Sequence, residues 1–256
     1  MKITVKKIKS MKGKGKIAVL TAYDYSTAKY MDKEGIDIIL VGDSLGMVVL
    51  GYENTLSVTM EDMLRHTGAV ARGAKNALIV GDMPANSYDN KETAALNAEA
   101  FIKSGADTVK IENKPEIARF LVDNRIEVMG HIGLTPQTCA DFKVQGKDQE
   151  TADKLIKLAK ELEEAGCYAL VLECIPMQLA KKITESVSMP TIGIGAGPYC
   201  DGQVLVVNDM LGIYDKLSPK FLKKYAELGK EMKIAFKSYI KDVKEGKFPE
   251  DKHSFH

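Results

Sequence analysis

Eight short apolar runs recur along the 256-residue chain, and most of them are separated by a segment with helical periodicity. Runs that are apolar at nearly every position are typical of strands buried on both faces, as in parallel sheets covered by helices. The predicted strands are 16–23, 36–41, 77–82, 108–112, 126–131, 168–173, 190–197 and 203–208. Eight strands over about 240 residues predict a (β/α)8 TIM barrel, with a doubly wound open sheet as the alternative.

The segments between the strands complete this pattern. Apolar spacing and capping residues predict helices at 28–34, 60–70, 91–104, 115–124, 151–165, 176–184 and 219–243. No linker or change of composition divides the chain, so we expect one barrel domain over residues 1–256 with a polar tail from residue 247. Seven lysines among the first sixteen residues form a short basic segment, interpreted as a solvated surface in preference to a basic arm.

The overall charge bears on the classes of partner. The chain has 36 basic and 35 acidic residues. Its net charge of +1 does not indicate a surface that binds a nucleic acid or a membrane. No run approaches the ~20 apolar residues of a membrane helix, and the first residues lack the apolar core of a signal peptide. Four cysteines without paired spacing indicate reduced thiols (Cys139, Cys167, Cys174, Cys200). These features predict a cytoplasmic protein.

Three consecutive predicted strands after the first end on carboxylates, at Asp43, Asp82 and Glu112. The carboxyl ends of parallel strands meet at one rim, which is where ligands bind in parallel α/β folds. Oxygen ligands at one rim suit Mg²⁺, which takes a few carboxylates and leaves positions for water and substrate. The alternative is that each acid caps the helix that follows its strand. Three such residues in succession favour a metal or catalytic site.

Three further residues at this rim are candidates for substrate binding or catalysis. Lys110 lies two positions before Glu112 and therefore faces the same way, so it pairs with carboxylates, binds an anionic substrate, or does both by turns. His131 ends the fifth strand and either contacts a substrate or is structural. Glu173 follows an apolar run, and a carboxylate among apolar groups suits a general base near neutral pH. The alternative for Glu173 is a salt bridge with a lysine.

The glycine-rich segment 193–197 lies where barrels often place a phosphate site. It lacks the helix and the acidic residue that follow a dinucleotide-binding fingerprint, which makes that interpretation weak. Close packing against a co-substrate or simple turn geometry explains the glycines equally well.

Several motifs, in order, resemble those of the ketopantoate hydroxymethyltransferase family. They are LTAYDY (20–25), VGDSLG (41–46), VKIE (109–112), GHIGLTPQ (130–137), LVLEC (170–174), GIGAG (193–197) and HSFH (253–256). The resemblance runs from about residue 21 to the last residue. It implies a barrel of the phosphoenolpyruvate/pyruvate type that assembles as a homo-oligomer, an octamer or a decamer. The segment 139–146, which is expected to contact the folate, is shorter than is usual in this family.

The resemblance also assigns roles to the rim residues. It implies Mg²⁺ bound by Asp43, Asp82 and Glu112, and Glu173 as the catalytic base. The substrate-binding residues would be Asp43, Ser44, Asp82, Lys110 and His131.

The implied reaction joins two small molecules. Mg²⁺ chelated by the oxygens of 3-methyl-2-oxobutanoate would polarise its ketone, and Glu173 would remove the proton from C3. The enolate would attack the one-carbon unit of 5,10-methylenetetrahydrofolate and give 2-dehydropantoate, in pantothenate and coenzyme A biosynthesis. Two rivals stay open: a lyase or mutase of the same superfamily that needs no folate, and a catalytically inactive barrel that binds a metabolite.

Overall fold

A closed barrel of eight parallel strands forms the body of the computed structural model, which describes residues 2–137, 143–216 and 218–256. The strands are β1 Ile17–Thr21, β2 Ile38–Val41, β3 Leu78–Asp82, β4 Thr108–Glu112, β5 Val128–Gly133, β6 Ala169–Glu173, β7 Thr191–Ile194 and β8 Gly202–Leu205. Each strand pairs with the next along the chain, and β1 pairs with β8 to close the barrel. The predicted (β/α)8 barrel is confirmed, and the open sheet is excluded.

Helices connect most consecutive strands. They are α1 Val5–Ser10, α2 Tyr25–Lys33, α3 Leu45–Val48, α4 Met60–Gly73, α5 Lys91–Ser104, α6 Pro115–Asp123, α7 Gln149–Glu164, α8 Met177–Ser186, α9 Val207–Met210 and α10 Leu228–Lys244, followed by a 3-10 helix, Asp251–His253. Side chains of Asp24, Asn90 and Asp148 cap the N-termini of α2, α5 and α7 by accepting backbone N–H groups. Across the described ranges, no helix has the length and apolar character to cross a membrane.

The described chain separates into two compact units. The first extends to Val206 and contains the barrel with α1 to α8. The second runs from Val207 to His256 and contains α9, α10 and the 3-10 helix. The single domain over residues 1–256 stays a prediction.

The predicted start of the last long helix, at residue 219, was wrong. The helix α10 begins at Leu228. Before it, the backbone N–H of Tyr225 donates to the carbonyl of Met210, and that of Leu228 donates to Leu211. Because these donors bond to the segment around α9 and not to the preceding turn, residues 219–227 cannot extend the helix.

The basic N-terminal segment is more than a solvated surface, which corrects that part of the interpretation. Thr4 caps the short helix α1, and Ile8 of this helix is fully buried. Ile8 belongs to the apolar cluster inside the amino-terminal half of the barrel, together with Ile17, Ile38 and Tyr168. The helix therefore covers the end of the barrel opposite the predicted site.

Asp201 fixes this N-terminal segment to the barrel. Its carboxylate accepts the backbone N–H groups of Gly13 (3.0 Å) and Thr191 (2.9 Å), and the ammonium of Lys12 lies 3.0 Å away. Burial alone would raise the pKa of Asp201, but these N–H groups and Lys12 hold the pKa below its usual range. The carboxylate therefore stabilises the folded state only while it is ionised.

We expect Asp201→Asn to lower the free energy of unfolding by about 1.5–3 kcal/mol at pH 7, since hydrogen bonds to a charged group are lost. The folded-state pKa lies below the unfolded one, so the contribution of Asp201 is complete above about pH 4 and is lost as the pH falls through the folded-state pKa. Denaturant unfolding at pH 7 and pH 3 should therefore show a smaller difference between parent and variant at pH 3. Asp123→Asn, at an exposed position, is the control. A difference that is constant with pH would contradict this account.

The cysteines that the structure describes agree with the prediction of reduced thiols. Cys167, Cys174 and Cys200 are free thiols. Cys139 lies outside the described residues.

Candidate active site

The carboxyl ends of β2 to β6 bring the predicted site residues together. Asp82 ends β3, Glu112 ends β4, and Glu173 ends β6. Parallel pairing places Asp82 beside Lys110, Glu112 beside His131, and Glu173 beside Gly133. Side chains at neighbouring register positions of adjacent strands contact one another, so strand pairing alone assembles most of the site.

Lys110 is held among carboxylates, as one of its two predicted roles requires. Its Nζ atom lies 2.7 Å from Oδ1 of Asp82, and the two side chains are 5% and 2% exposed. Burial lowers the pKa of Lys110, but Asp82, Glu112 and Asp43 together raise it above its ordinary value. The side chain is therefore an ammonium ion at every physiological pH.

Asp43 lies just beyond β2 and meets Asp82 through its backbone. The N–H group of Asp43 donates to Oδ2 of Asp82 at 3.2 Å. Burial raises the pKa of Asp43 to about 8, and the negative charges of Asp82 and Glu112 add to this rise against the opposing effect of Lys110. A cation placed at Asp43 would relieve this repulsion.

Glu112, His131 and Glu173 form a continuous chain of charged groups. The imidazole Nδ1 of His131 lies 3.1 Å from Oε1 of Glu112, and Nε2 lies 3.3 Å from Oε2 of Glu173. Burial and Lys110 lower the pKa of His131, but Glu112 and Glu173 outweigh them and raise it to about 9. The imidazole is therefore charged at neutral pH, with a carboxylate at each nitrogen.

Glu173 has a charged neighbour, which the apolar run before it does not indicate. Among the described residues its ion-pair partner is His131, and the predicted alternative of a lysine partner is not observed. The side chain is 18% exposed, more than the other carboxylates of the cluster, so it lies nearest to solvent. Neighbouring Gly133 has φ +103°, and a Cβ there would lie 2.2 Å from the carbonyl oxygen of Glu173. Only glycine permits this approach of β5 to β6.

Ser44 follows Asp43 and is half-buried. Its Oγ atom lies 2.9 Å from the hydroxyl of Tyr23, which follows β1. The hydrogen bond fixes the serine side chain at the rim. Ser44 thus lies beside the cluster without belonging to its ion pairs.

Two buried polar residues of the site were missed by the sequence analysis. Gln137 donates to Oδ2 of Asp43 at 2.9 Å, and Tyr88 donates to Gln137. Both residues come from loops that follow strands, and their local sequence gives no signal that they turn inward. The only indication was that Gln137 lies inside one of the motifs quoted above.

The glycine-rich segment after β7 is explained by close packing. Gly195 and Gly197 have positive φ angles of 64° and 77°. A Cβ at Gly197 would lie 2.4 Å from the Cβ of Met177. Turn geometry and contact with α8 account for the glycines, in agreement with the simplest of the four interpretations.

The donor set fits a divalent cation that is completed by substrate or water. Within residues 2–137, 143–216 and 218–256, no three His, Cys, Asp or Glu side chains are arranged to hold a metal alone. Both oxygens of Glu112 face protein N–H groups, from His131 and from the backbone of Gln137. Asp82 likewise faces Lys110 and the backbone N–H of Asp43, but Asp43 and Asp82 are a pair of buried carboxylates whose mutual repulsion a cation would relieve. Mg²⁺, which keeps several waters and binds few carboxylates, suits this arrangement.

Comparisons with known proteins agree with the fold. A 2,3-dimethylmalate lyase, described as a member of the PEP mutase/isocitrate lyase superfamily, matches with a TM-score of 0.65 at 14% identity, over 100% of this chain and 89% of that one. A phosphonopyruvate hydrolase solved with oxalate and Mg²⁺ matches with a TM-score of 0.62 at 11% identity, over 80% of each chain. At these identities the likeness concerns the fold alone, and it agrees with the closed barrel of parallel strands.

Sequence comparison is more specific. The family model described as ketopantoate hydroxymethyltransferase matches residues 2–251. The 3-methyl-2-oxobutanoate hydroxymethyltransferase of Clostridium botulinum (strain Loch Maree / Type A3) is 58% identical over 100% of this chain and 96% of its own length. The enzyme of the same name from Syntrophomonas wolfei is 53% identical over 99% and 95%. With its barrel, its rim of paired carboxylates and these relatives, the chain belongs to the ketopantoate hydroxymethyltransferase family.

Proposed function

We propose that the chain transfers a hydroxymethyl group from 5,10-methylenetetrahydrofolate to 3-methyl-2-oxobutanoate. With one water consumed, the products are 2-dehydropantoate and tetrahydrofolate, in pantothenate and coenzyme A biosynthesis. The family and the names of the relatives support the reaction. The observation that carries it is the buried cluster at the rim, in which Lys110 and His131 face the carboxylates of Asp43, Asp82, Glu112 and Glu173.

Asp43 and Asp82 would hold Mg²⁺, because a cation would relieve the repulsion between these two buried carboxylates, and Glu112 would act through a water molecule. When bound, the cation supplies Lewis-acid polarisation of the 2-oxo acid. The phosphonopyruvate hydrolase of similar fold was solved with oxalate and Mg²⁺, two chemical species of the kind proposed here.

The chain's own residues bind the substrate and move its proton. The Lys110 ammonium and the Ser44 hydroxyl would bind the anionic 2-oxo acid, beside Asp43, Asp82 and His131. Glu173 would take the proton from C3 with Oε1, because Oε2 faces the charged imidazole of His131. The imidazolium keeps the carboxylate oriented.

Three further parts of the proposal rest on the sequence. The folate would be contacted by the segment 139–146, of which residues 139–142 lie outside the described residues. The protein would be cytoplasmic, and it would assemble as an octamer or a decamer.

Two assays test the proposed function. Solvent deuterium exchange into C3 of 3-methyl-2-oxobutanoate should occur with Mg²⁺ alone, stop with a chelator, and return when Mg²⁺ is restored. Formation of 2-dehydropantoate should require methylenetetrahydrofolate in addition. Exchange without folate-dependent product would favour a lyase or mutase of the same superfamily. The absence of both activities would favour an inactive metabolite-binding barrel.

A further inference from the structure

Tyr88 and Gln137 form a buried polar pair beside the carboxylate cluster. Their exposed fractions are 5% and 7%. The hydroxyl of Tyr88 donates to Oε1 of Gln137. Burying a polar group lowers the stability of the fold unless each of its donors and acceptors has a hydrogen-bond partner. The partners of Tyr88 and Gln137 therefore show which parts of the site the two side chains hold in place.

The amide of Gln137 has one orientation that satisfies all its neighbours. Its Nε2 group donates to the backbone carbonyl of Met83 at 2.9 Å, and a carbonyl can only accept. The second hydrogen of the same group goes to Oδ2 of Asp43, also at 2.9 Å. Both amide hydrogens are therefore used, and the oxygen faces Tyr88. The carboxylate of Asp43 is fixed by a donor that cannot rotate away.

The same pair also contacts Glu112, on another strand. The backbone N–H of Gln137 donates to Oε2 of Glu112 at 3.3 Å. The backbone N–H of Glu112 donates to the hydroxyl of Tyr88 at 3.3 Å. Tyr88 and Gln137 thus join Asp43, which follows β2, to Glu112, which ends β4.

The loop after β3 holds Tyr88 in this place. A turn over residues 84–87 is closed by the N–H of Ser87 donating to the carbonyl of Pro84, with Asn86 at φ +64°. Asn97 of α5 donates to the carbonyl of Ser87 at 2.7 Å. The ammonium of Lys114 lies 5.2 Å from the centre of the Tyr88 ring. The turn and Asn97 therefore hold the loop that carries Tyr88, and Lys114 contacts the ring.

We infer that Gln137 and Tyr88 are positioning residues that hold Asp43 and Glu112 in the arrangement needed to bind a divalent cation. The inference rests on the proposed function, since it concerns the same metal site. Gln137 orients the carboxylate of Asp43 through one of its two amide hydrogens, and Tyr88 fixes the amide. Removing such outer partners typically lowers metal affinity about 10–100-fold.

The test measures Mn²⁺ affinity, from the electron paramagnetic resonance signal of the free ion, on the full chain with 3-methyl-2-oxobutanoate present. Mn²⁺ prefers the same oxygen ligands as Mg²⁺. Gln137→Leu should weaken Mn²⁺ binding about 10–100-fold, and Tyr88→Phe should weaken it in the same direction by a smaller factor. Tyr88→Phe keeps the ring and the volume, so it tests the role even if Gln137→Leu does not fold.

Tyr168→Phe is the matched control. Tyr168 is fully buried in the same barrel, and its hydroxyl lies 3.0 Å from Oγ1 of Thr108, away from the carboxylate cluster. It should retain the Mn²⁺ affinity of the parent. Equal affinity in the parent and both site variants would overturn the positioning role while the proposed metal site stands. An equal loss of Mn²⁺ affinity in Tyr168→Phe would show that the effect comes from general loosening of the barrel, and it would also overturn the positioning role. A parent that binds no Mn²⁺ would overturn the metal site itself.

Discussion

Glu173→Gln is expected to lower solvent deuterium exchange into C3 of 3-methyl-2-oxobutanoate by about 10²–10⁴-fold, the usual cost of removing a general base. Glutamine has nearly the same shape, so packing beside Gly133 is preserved. Its amide cannot accept the proton as a carboxylate does. Exchange measured without folate isolates proton removal from formation of the carbon–carbon bond.

Affinity measurements complete this experiment. The variant should still bind Mg²⁺ and the 2-oxo acid, because neither is assigned to Glu173. Glu127→Gln is a suitable control, since Glu127 is exposed just before β5, at the opposite end of that strand from the site. If Glu173→Gln exchanges as fast as the parent, Glu173 is not the base.

Lys110→Met is expected to lower the free energy of unfolding by about 3–5 kcal/mol, the range found when one partner of a buried ion pair is removed. Lys110 is the ammonium closest to Asp82, and its charge also opposes the repulsion at Asp43. Methionine nearly fills the volume but leaves the buried carboxylates without this compensation. Denaturant unfolding in the presence of a chelator measures the effect without a cation in its place.

An exposed ion pair provides the control for Lys110. Lys154 lies 2.6 Å from Glu150 on the surface of α7, with both side chains more than two-thirds exposed. Solvent screens such pairs, so Lys154→Met should leave the free energy of unfolding nearly unchanged. Similar losses in the two variants would show that burial of Lys110 among carboxylates is not what makes it important.

The strands and the rim carboxylates could be predicted because their signals are local. A run such as residues 108–112 is apolar on the face that meets the helices, and its predicted bounds agree with those of β4. Strand direction then places Asp82, Glu112 and Glu173 at one rim, since all strands of the barrel are parallel. No knowledge of distant contacts is needed for either step.

The missed features depend on contacts between distant parts of the chain. The helix α1 was hidden because lysines dominate its sequence, while its one buried residue, Ile8, packs against strands that come later. Tyr88 and Gln137 meet 49 positions apart, from two loops whose course no periodicity describes. The partner of Glu173 was missed because strand pairing, not sequence proximity, brings His131 beside it.

The charged imidazole between Glu112 and Glu173 has a consequence for where a proton can travel. An imidazolium already holds a proton on each nitrogen, so His131 cannot accept one from Glu173 without first passing its inner proton to Glu112. His131 itself, against the effect of burial, holds the pKa of Glu112 below its ordinary value, which makes that carboxylate a poor acceptor. These three groups therefore do not relay a proton from Glu173 through His131 to Glu112. Under the proposed mechanism, a proton taken up at Glu173 would leave on the side facing solvent, because the imidazolium of His131 occupies the other side.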